Sequence, residues 1–193
     1  MLEQIDAINI LARAAQQSGA LVVSEIGSQT TWLHETGDHE SYLYLSGPMG
    51  MAPSVALGVA LANPDKPVLA ICGDGALVMN FSALVTAANE APQNLTLAVM
   101  DNGVYDFTGK VPSPSVAVDW KNLLGGLPAF ARYSELDESS APQFSATGGL
   151  SLIYAKVKPA SRKPKKFPFT APEIYARFCK YVEKYPHHIA LQG

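Results

Sequence analysis

Cysteine is scarce. Cys72 and Cys179 are the only two among 193 residues, one in an apolar run and one in a late amphipathic segment. No disulfide framework is implied, and a reducing cytoplasmic setting is the expectation. Long apolar runs are missing as well. None reaches bilayer-spanning length, and Met1–Asp6 lacks the basic-then-apolar form of a secretory leader, so no membrane association is expected. Charge is modest, with 16% charged residues and a net charge of −3. No basic helix or aromatic-interleaved patch accompanies it, which argues against a nucleic-acid partner. There is no internal repeat, no cysteine-rich iron–sulfur pattern and no flavin fingerprint. What remains is a chain that is 48% hydrophobic, enough for one well-buried α/β domain over residues 1–193 and short for two.

The most informative stretch runs from Gly73-Asp74-Gly75 to Asp101-Asn102-Gly103. The apolar run Pro67–Cys72 has the length of a strand buried on both faces. It breaks at the Gly-Asp-Gly turn, where glycine lets the backbone approach a ligand. A helix is expected next, with Asn80 as N-cap and Phe81, Leu84, Val85 and Ala88 as its apolar stripe. The second strand, Leu95–Met100, ends at Asp101-Asn102. A strand–helix–strand unit predicts two parallel, adjacent strands, whose carboxyl ends lie where open α/β sheets bind ligands. A carboxylate and a carboxamide at those ends suit a hard cation. Mg²⁺ takes one or two carboxylates and completes its shell with phosphate oxygens and water. A diphosphate is the anion such a site would hold, with nearby amides orienting it.

These residues resemble the signature of the thiamine-diphosphate enzymes, which is Gly-Asp-Gly, a spacer of somewhat under thirty residues, then Asn-Asn or a close variant. Here Asp101 stands in the first Asn position. The resemblance implies a three-layer α/β/α, doubly wound, mostly parallel sheet, and thiamine diphosphate with Mg²⁺ as cofactors. It makes Asp74 and Asn102 metal ligands through their side chains and Val104 a ligand through its carbonyl. Gly73 and Gly75-Ala76 form the diphosphate-binding turn. Upstream, Ser46-Gly47-Pro48-Met49-Gly50 matches the family's Gly-x-Met-Gly turn. Met49 would prop the thiamine into its bent, reactive shape, and the Gly47 carbonyl would accept from the aminopyrimidine. Without the downstream motif, Met49 reads as an ordinary core methionine. Pro53 suits the first turn of the helix that follows, with Ala56, Gly58 and Ala60 permitting close packing.

The family uses a second domain that surrounds the aminopyrimidine and supplies a glutamate. Glu25, Glu35 and Glu40 precede the motif here, but none has the strand-plus-helix context of that glutamate. The expectation is a split enzyme completed by a separate pyrimidine-binding subunit in a hetero-oligomer, α2β2 or larger. Within that family the chain resembles the sulfopyruvate and phosphonopyruvate decarboxylases, through Tyr44–Gly50 and the loop Asp101–Gly109, in which Phe107 replaces a small polar residue. The implied reaction converts a small 2-oxoacid to CO₂ and an aldehyde. A carboligase, a two-subunit oxidoreductase and a noncatalytic cofactor-binding module are the alternatives.

His39, with His34 second, is the candidate proton handler, since histidine titrates near neutrality. His187 and His188 read as surface residues of the tail. Tyr105, just past the metal loop, either contacts cofactor or substrate, or packs. Ser28 and Gln29 end at the same sheet edge and are candidates for contact with cofactor or partner. Elsewhere the pattern predicts a helix over Ile5–Gln17, a strand at Leu21–Ser24, a mobile or cofactor-ordered loop at Val111–Val118, and a helix over Asp119–Phe130 interrupted by Gly125-Gly126. A last strand at Ser151–Val157 and a closing helix at Ala171–Tyr185 follow. A basic, proline-containing connector, residues 158–170, lies between them. It either draws anions or acidic surfaces, or is simply solvated.

Overall fold

A computed structural model describes residues 1–184. In chain order it contains β1 (Leu2–Glu3), α1 (Gln4–Gln17), β2 (Leu21–Ser24), α2 (Ser28–Thr36), β3 (Tyr42–Tyr44), α3 (Ala52–Ala62) and β4 (Val68–Gly73). There follow α4 (Asp74–Met79), α5 (Ser82–Glu90), β5 (Leu95–Asp101), β6 (Val104–Tyr105), β7 (Val111–Pro112), α6 (Trp120–Gly125), β8 (Arg132–Glu135), β9 (Ser151–Lys158) and α7 (Ala171–Glu183).

The main sheet runs in the order β1-β9-β5-β4-β2-β3, with β8 also paired to β9. Every pairing within it is parallel. Parallel neighbours need crossovers, and the helices that make them cover both faces of the sheet. Side chains therefore alternate between two cores. On β4, Leu69 and Ile71 join α1, Trp32 and Leu33, while Val68, Ala70 and Cys72 pack with α3, Leu84 and Ala87. This double covering explains why all six residues of β4 are buried. The result is a doubly wound α/β/α arrangement. Among the described residues, only the β6–β7 ribbon is antiparallel. Among the described residues, no helix is long and apolar enough to cross a membrane.

The helix expected from Ile5 starts at Gln4 and stops before Gly19, which adopts φ +65°. Its buried face includes Ile8, Ala12 and Ala15. Other expectations shift. A helix begins directly at Asp74, and Asn80 is not an N-cap. It closes α4, and its Nδ2 donates to the Gly50 carbonyl at 2.8 Å. The following helix starts at Ser82, which turns Ala83, Leu84 and Ala87 inward and leaves Val85 exposed. Gly58 is exposed on α3 with open space beside it, so it serves no close packing. His34 lies on α2, a helix the sequence pattern does not announce, and His39 lies in the loop after it. The helix near Asp119 is only Trp120–Gly125 long, ended by the glycine pair. The loop Val111–Val118 is ordered by β7 and a 3-10 turn at Pro114–Ala117. Residues 159–170 carry neither helix nor strand. His187, His188 and the end of the expected closing helix at Tyr185 lie outside the described residues.

Candidate cofactor and metal site

The chain leaves β2 towards β3 on one side, whereas β4 leads to β5 on the other. The crevice beyond the carboxyl ends of β2 and β4 is thus the switch point of the sheet, where open α/β folds place their ligands. A cavity of about 370 Å³ opens there, a size suited to a small ligand. Three strand ends build it. Glu25 to Gln29 follow β2, Gly73 to Ala76 follow β4, and Asn102 to Thr108 follow β5, with Met49 added from the turn before α3.

Asp74 is 2% exposed. Its Oδ2 accepts from the Ser115 hydroxyl at 2.5 Å, and no ion pair reaches it among the described residues. The same hydroxyl lies 3.5 Å from Asp101 Oδ1. Burial, above all, holds the Asp74 carboxyl above the usual range, and Asp101 adds to this, while the Ser115 and Ser113 hydroxyls pull the other way. A buried carboxylate with a second one nearby and no cation of its own is a site that lacks positive charge. Asp101 is already engaged. It accepts from Tyr154 at 2.6 Å, Lys156 Nζ at 3.0 Å and the Gly103 amide at 3.0 Å.

Asn102 has a fixed orientation. Its Nδ2 donates to Asp106 Oδ2 at 2.8 Å, and its Oδ1 accepts from the Val104 amide at 2.9 Å. One lone-pair direction of that oxygen stays free. A carboxylate, a carboxamide oxygen and a main-chain carbonyl are the donor set of a hard divalent cation, and Asp74, Asn102 and Val104 fit it. Close approach matters at Gly75. A Cβ there would collide with the Tyr105 ring, so Tyr105 both packs on the turn and lines the cavity. At Gly73, a Cβ would come within 2.9 Å of Gln29 Nε2.

Residues 25–131, more than half of the chain, match the family described as "Thiamine pyrophosphate enzyme, C-terminal TPP binding domain". The chain belongs to the thiamine pyrophosphate enzymes. It is 31% identical over 185 residues to sulfopyruvate decarboxylase subunit beta of Methanothermobacter thermautotrophicus, covering 94% of this chain and 96% of that one. It is 36% identical over 172 residues to phosphonopyruvate decarboxylase of Streptomyces viridochromogenes, covering 86% of this chain and 43% of that one. The chain thus spans about two fifths of the length of the phosphonopyruvate decarboxylases it matches. Among solved structures, a candidate thiamin diphosphate-dependent enzyme from Mycobacterium smegmatis superposes with a TM-score of 0.63 at 21% identity, over 82% of this chain and 32% of that one. This likeness shows the fold.

Of the residues expected at the site of this thiamine pyrophosphate enzyme, Met49, Gly73, Asp74, Gly75, Ala76, Asn102, Val104 and Tyr105 line the one cavity. Ser28 and Gln29 do too. Gly47 sits on an exposed turn at φ +123°, outside the cavity wall. His39 is misplaced for proton handling. It precedes β3, at the opposite end of the sheet from the cavity. Its Nδ1 is within hydrogen-bond distance of the Ser41 hydroxyl at 2.8 Å, and its ring packs on Tyr42 and Tyr181. His34 is turned into an aromatic cluster with Tyr44, Phe167 and Phe169.

Glu25 corrects an expectation: set aside above for want of a strand-plus-helix context, it directly follows β2 and precedes α2. It is 1% exposed, lies against the cavity, and holds the Met49 turn. Its Oε2 accepts the Gly50 and Ala52 amides at 3.1 and 3.2 Å, and its Oε1 accepts the Ile26 amide at 3.1 Å. Burial raises its carboxyl above the ordinary range against the pull of these amides. A carboxylate that caps a distant backbone turn has no local signature. The one available hint was an acid directly after an apolar strand. Ser113 and Ser115 were missed for the same reason.

Proposed function

We propose that this chain grips the diphosphate and Mg²⁺ of thiamine diphosphate in a 2-oxoacid decarboxylase, and that a separate pyrimidine-binding chain completes the site and supplies the glutamate. The observation that carries this reading is Asp74, a buried carboxylate without a cation, sharing one cavity with Asn102 and the glycine turn. The length-for-length likeness to a protein named subunit beta supports the heteromer.

When bound, the cofactor supplies an electron sink for the carbon–carbon bond that breaks as CO₂ leaves. The residues of this chain position it. Asp74, Asn102 and the Val104 carbonyl would hold the metal, and the Gly75 and Ala76 amides would meet the diphosphate. Met49 would brace the bent cofactor because Glu25 fixes the amides on either side of that turn. The exposed Gly47 carbonyl is left to meet the aminopyrimidine and the partner chain. Neither described histidine lines the cavity.

Calorimetry tests the first step: thiamine diphosphate should bind only with Mg²⁺ present, and chelation should release it. The isolated chain should be nearly inactive, and adding the pyrimidine-binding chain should release CO₂ from sulfopyruvate or phosphonopyruvate. Metal-independent binding, or strong turnover by this chain alone, would count against the proposal. A carboligase reading has one observation behind it, 32% identity over 100 residues to acetolactate synthase isozyme 1 large subunit of Escherichia coli. Two-acid condensation products instead of an aldehyde would favour it.

A further inference from the structure

On the far side of Phe107 from the cofactor cavity lies a second, larger groove of about 660 Å³. The two share Ser28, Asp106 and Phe107 as a common wall. Its basic lining comes from the segment left unexplained by the cofactor reading. Lys163, Lys165 and Lys166 project from the irregular connector, and Lys110 joins them from the turn after β6. None of these four makes an ion pair among the described residues. Lys110 Nζ donates to the Ala160 carbonyl. Arg162, also in the lining, is committed to Glu35 and stacks over the Trp32 ring at 4.6 Å.

One unmet hydrogen-bond donor points to an anionic ligand. Trp32 lines the groove, is 3% exposed, and its buried indole N–H has no acceptor. Asp106 Oδ1, at the wall shared with the cofactor cavity, is buried without a donor. A chain of net charge −3 thus concentrates four lysines without a contact ion pair, one of them (Lys165) also attracted by Glu35, and an orphan N–H donor in one aromatic-walled concavity. Low-dielectric walls focus such a field and attract anions. Concavity favours a small molecule over a flat protein face. Asp106, the one carboxylate in the lining, makes the cofactor side of the groove less hospitable to an anion than the lysine side.

We propose that this groove binds a small organic anion bearing a sulfonate, phosphonate or phosphate group. Its chemical source is either the tail of the substrate or a free effector. The substrate-tail arm rests on the decarboxylase reading; the binding arm does not.

The probe is sulfoacetate, titrated calorimetrically into the full chain saturated with thiamine diphosphate and Mg²⁺, so that the diphosphate site is blocked. Binding should weaken about tenfold or more in the Lys165→Ala/Lys166→Ala variant, and should weaken with added salt. Lys110→Ala and Trp32→Phe should each weaken it as well, with unfolding midpoints confirming intact folds. No binding by the wild-type chain, or binding indifferent to all four substitutions, would overturn the proposal. So would loss of partner assembly in the lysine variant without loss of sulfoacetate binding, because the groove would then be a protein interface. In the reconstituted complex, a raised KM for sulfopyruvate with pyruvate unaffected would assign the anion as a substrate tail. Unchanged KM values beside weakened sulfoacetate binding would assign it as an effector. Absence of turnover with every 2-oxoacid would refute the decarboxylase reading and leave the binding result standing.

Discussion

Glu25→Gln is the most discriminating single substitution, because it keeps the shape of the side chain and removes one acceptor oxygen. The native carboxylate serves the Ile26 amide with Oε1 and the Gly50 and Ala52 amides with Oε2. The carboxamide can keep its oxygen on the latter pair only by turning its NH₂ towards the Ile26 amide. A buried donor left without an acceptor costs about 1–3 kcal/mol. The remaining two bonds also weaken from charge-assisted to neutral. Against this, the variant no longer buries a charge. Because burial outweighs the amide bonds for the charged form, losing the charge offsets part of this cost, and the expected net loss at neutral pH is about 1 kcal/mol. Glu25→Ala orphans three amides and should lose more, at least about 3 kcal/mol.

Sign fixes the pH dependence. Burial raises the folded-state pKa of Glu25 above its unfolded value. Its contribution to wild-type stability is therefore full below the unfolded value and is lost as pH rises through the folded one. The advantage of wild type over Glu25→Gln should accordingly shrink from mildly acidic to neutral pH. Urea denaturation at several pH values gives the stability, and calorimetry gives thiamine diphosphate affinity, expected to fall about tenfold as the Met49 turn loosens, or about 1.4 kcal/mol. Unchanged midpoints and unchanged affinity in both variants would refute the claim that this carboxylate holds the turn.

Other outcomes follow from the same geometry. Asp74→Ala should abolish Mg²⁺-dependent cofactor retention, read by gel filtration and absorbance. It should leave neutral-pH stability within about 1 kcal/mol of wild type, because the raised pKa means the buried charge burdens the fold there. Gly75→Ala places a Cβ into the Tyr105 ring and should weaken cofactor binding at least about tenfold, with Tyr105→Ala restoring part of the loss in a double-mutant cycle. His39→Ala should leave turnover of the reconstituted complex within about twofold, while losing about 1 kcal/mol of stability through its Ser41 contact. A large fall in kcat would reinstate it as a proton handler.

Legibility divides along locality. β4 and β5 were readable because burial on both faces leaves an unbroken apolar run such as Val68–Cys72, bounded by glycine or polar turns. The Asp74–Asn102 pairing followed, since a strand–helix–strand unit fixes the relative position of its own ends. α1 was readable from its period and its glycine stop. What escaped depends on contacts across the fold. Asn80 resembles an N-cap locally, yet its amide is used by Gly50, thirty positions away. α2 carries Thr30, Thr31 and Trp32 with little amphipathic contrast, because one of its ends abuts the cavity, so no period announced it. His39 looked apt by chemistry alone. Only the parallel sheet, which puts the beginning of β3 opposite the carboxyl ends, removes it.

The pairing pattern of β9 bears on how the chain reaches this state. That strand is the neighbour of β5, β8 and β1 alike, and it is synthesised after all three. Until residues near 158 emerge, β5 offers an unpaired edge of Leu95, Leu97, Val99 and Met100 to any passing chain. Such a template invites misassociation of nascent polypeptides. Soluble yield should therefore respond to chaperone supply and slower synthesis far more than to the final thermodynamic stability of the molecule.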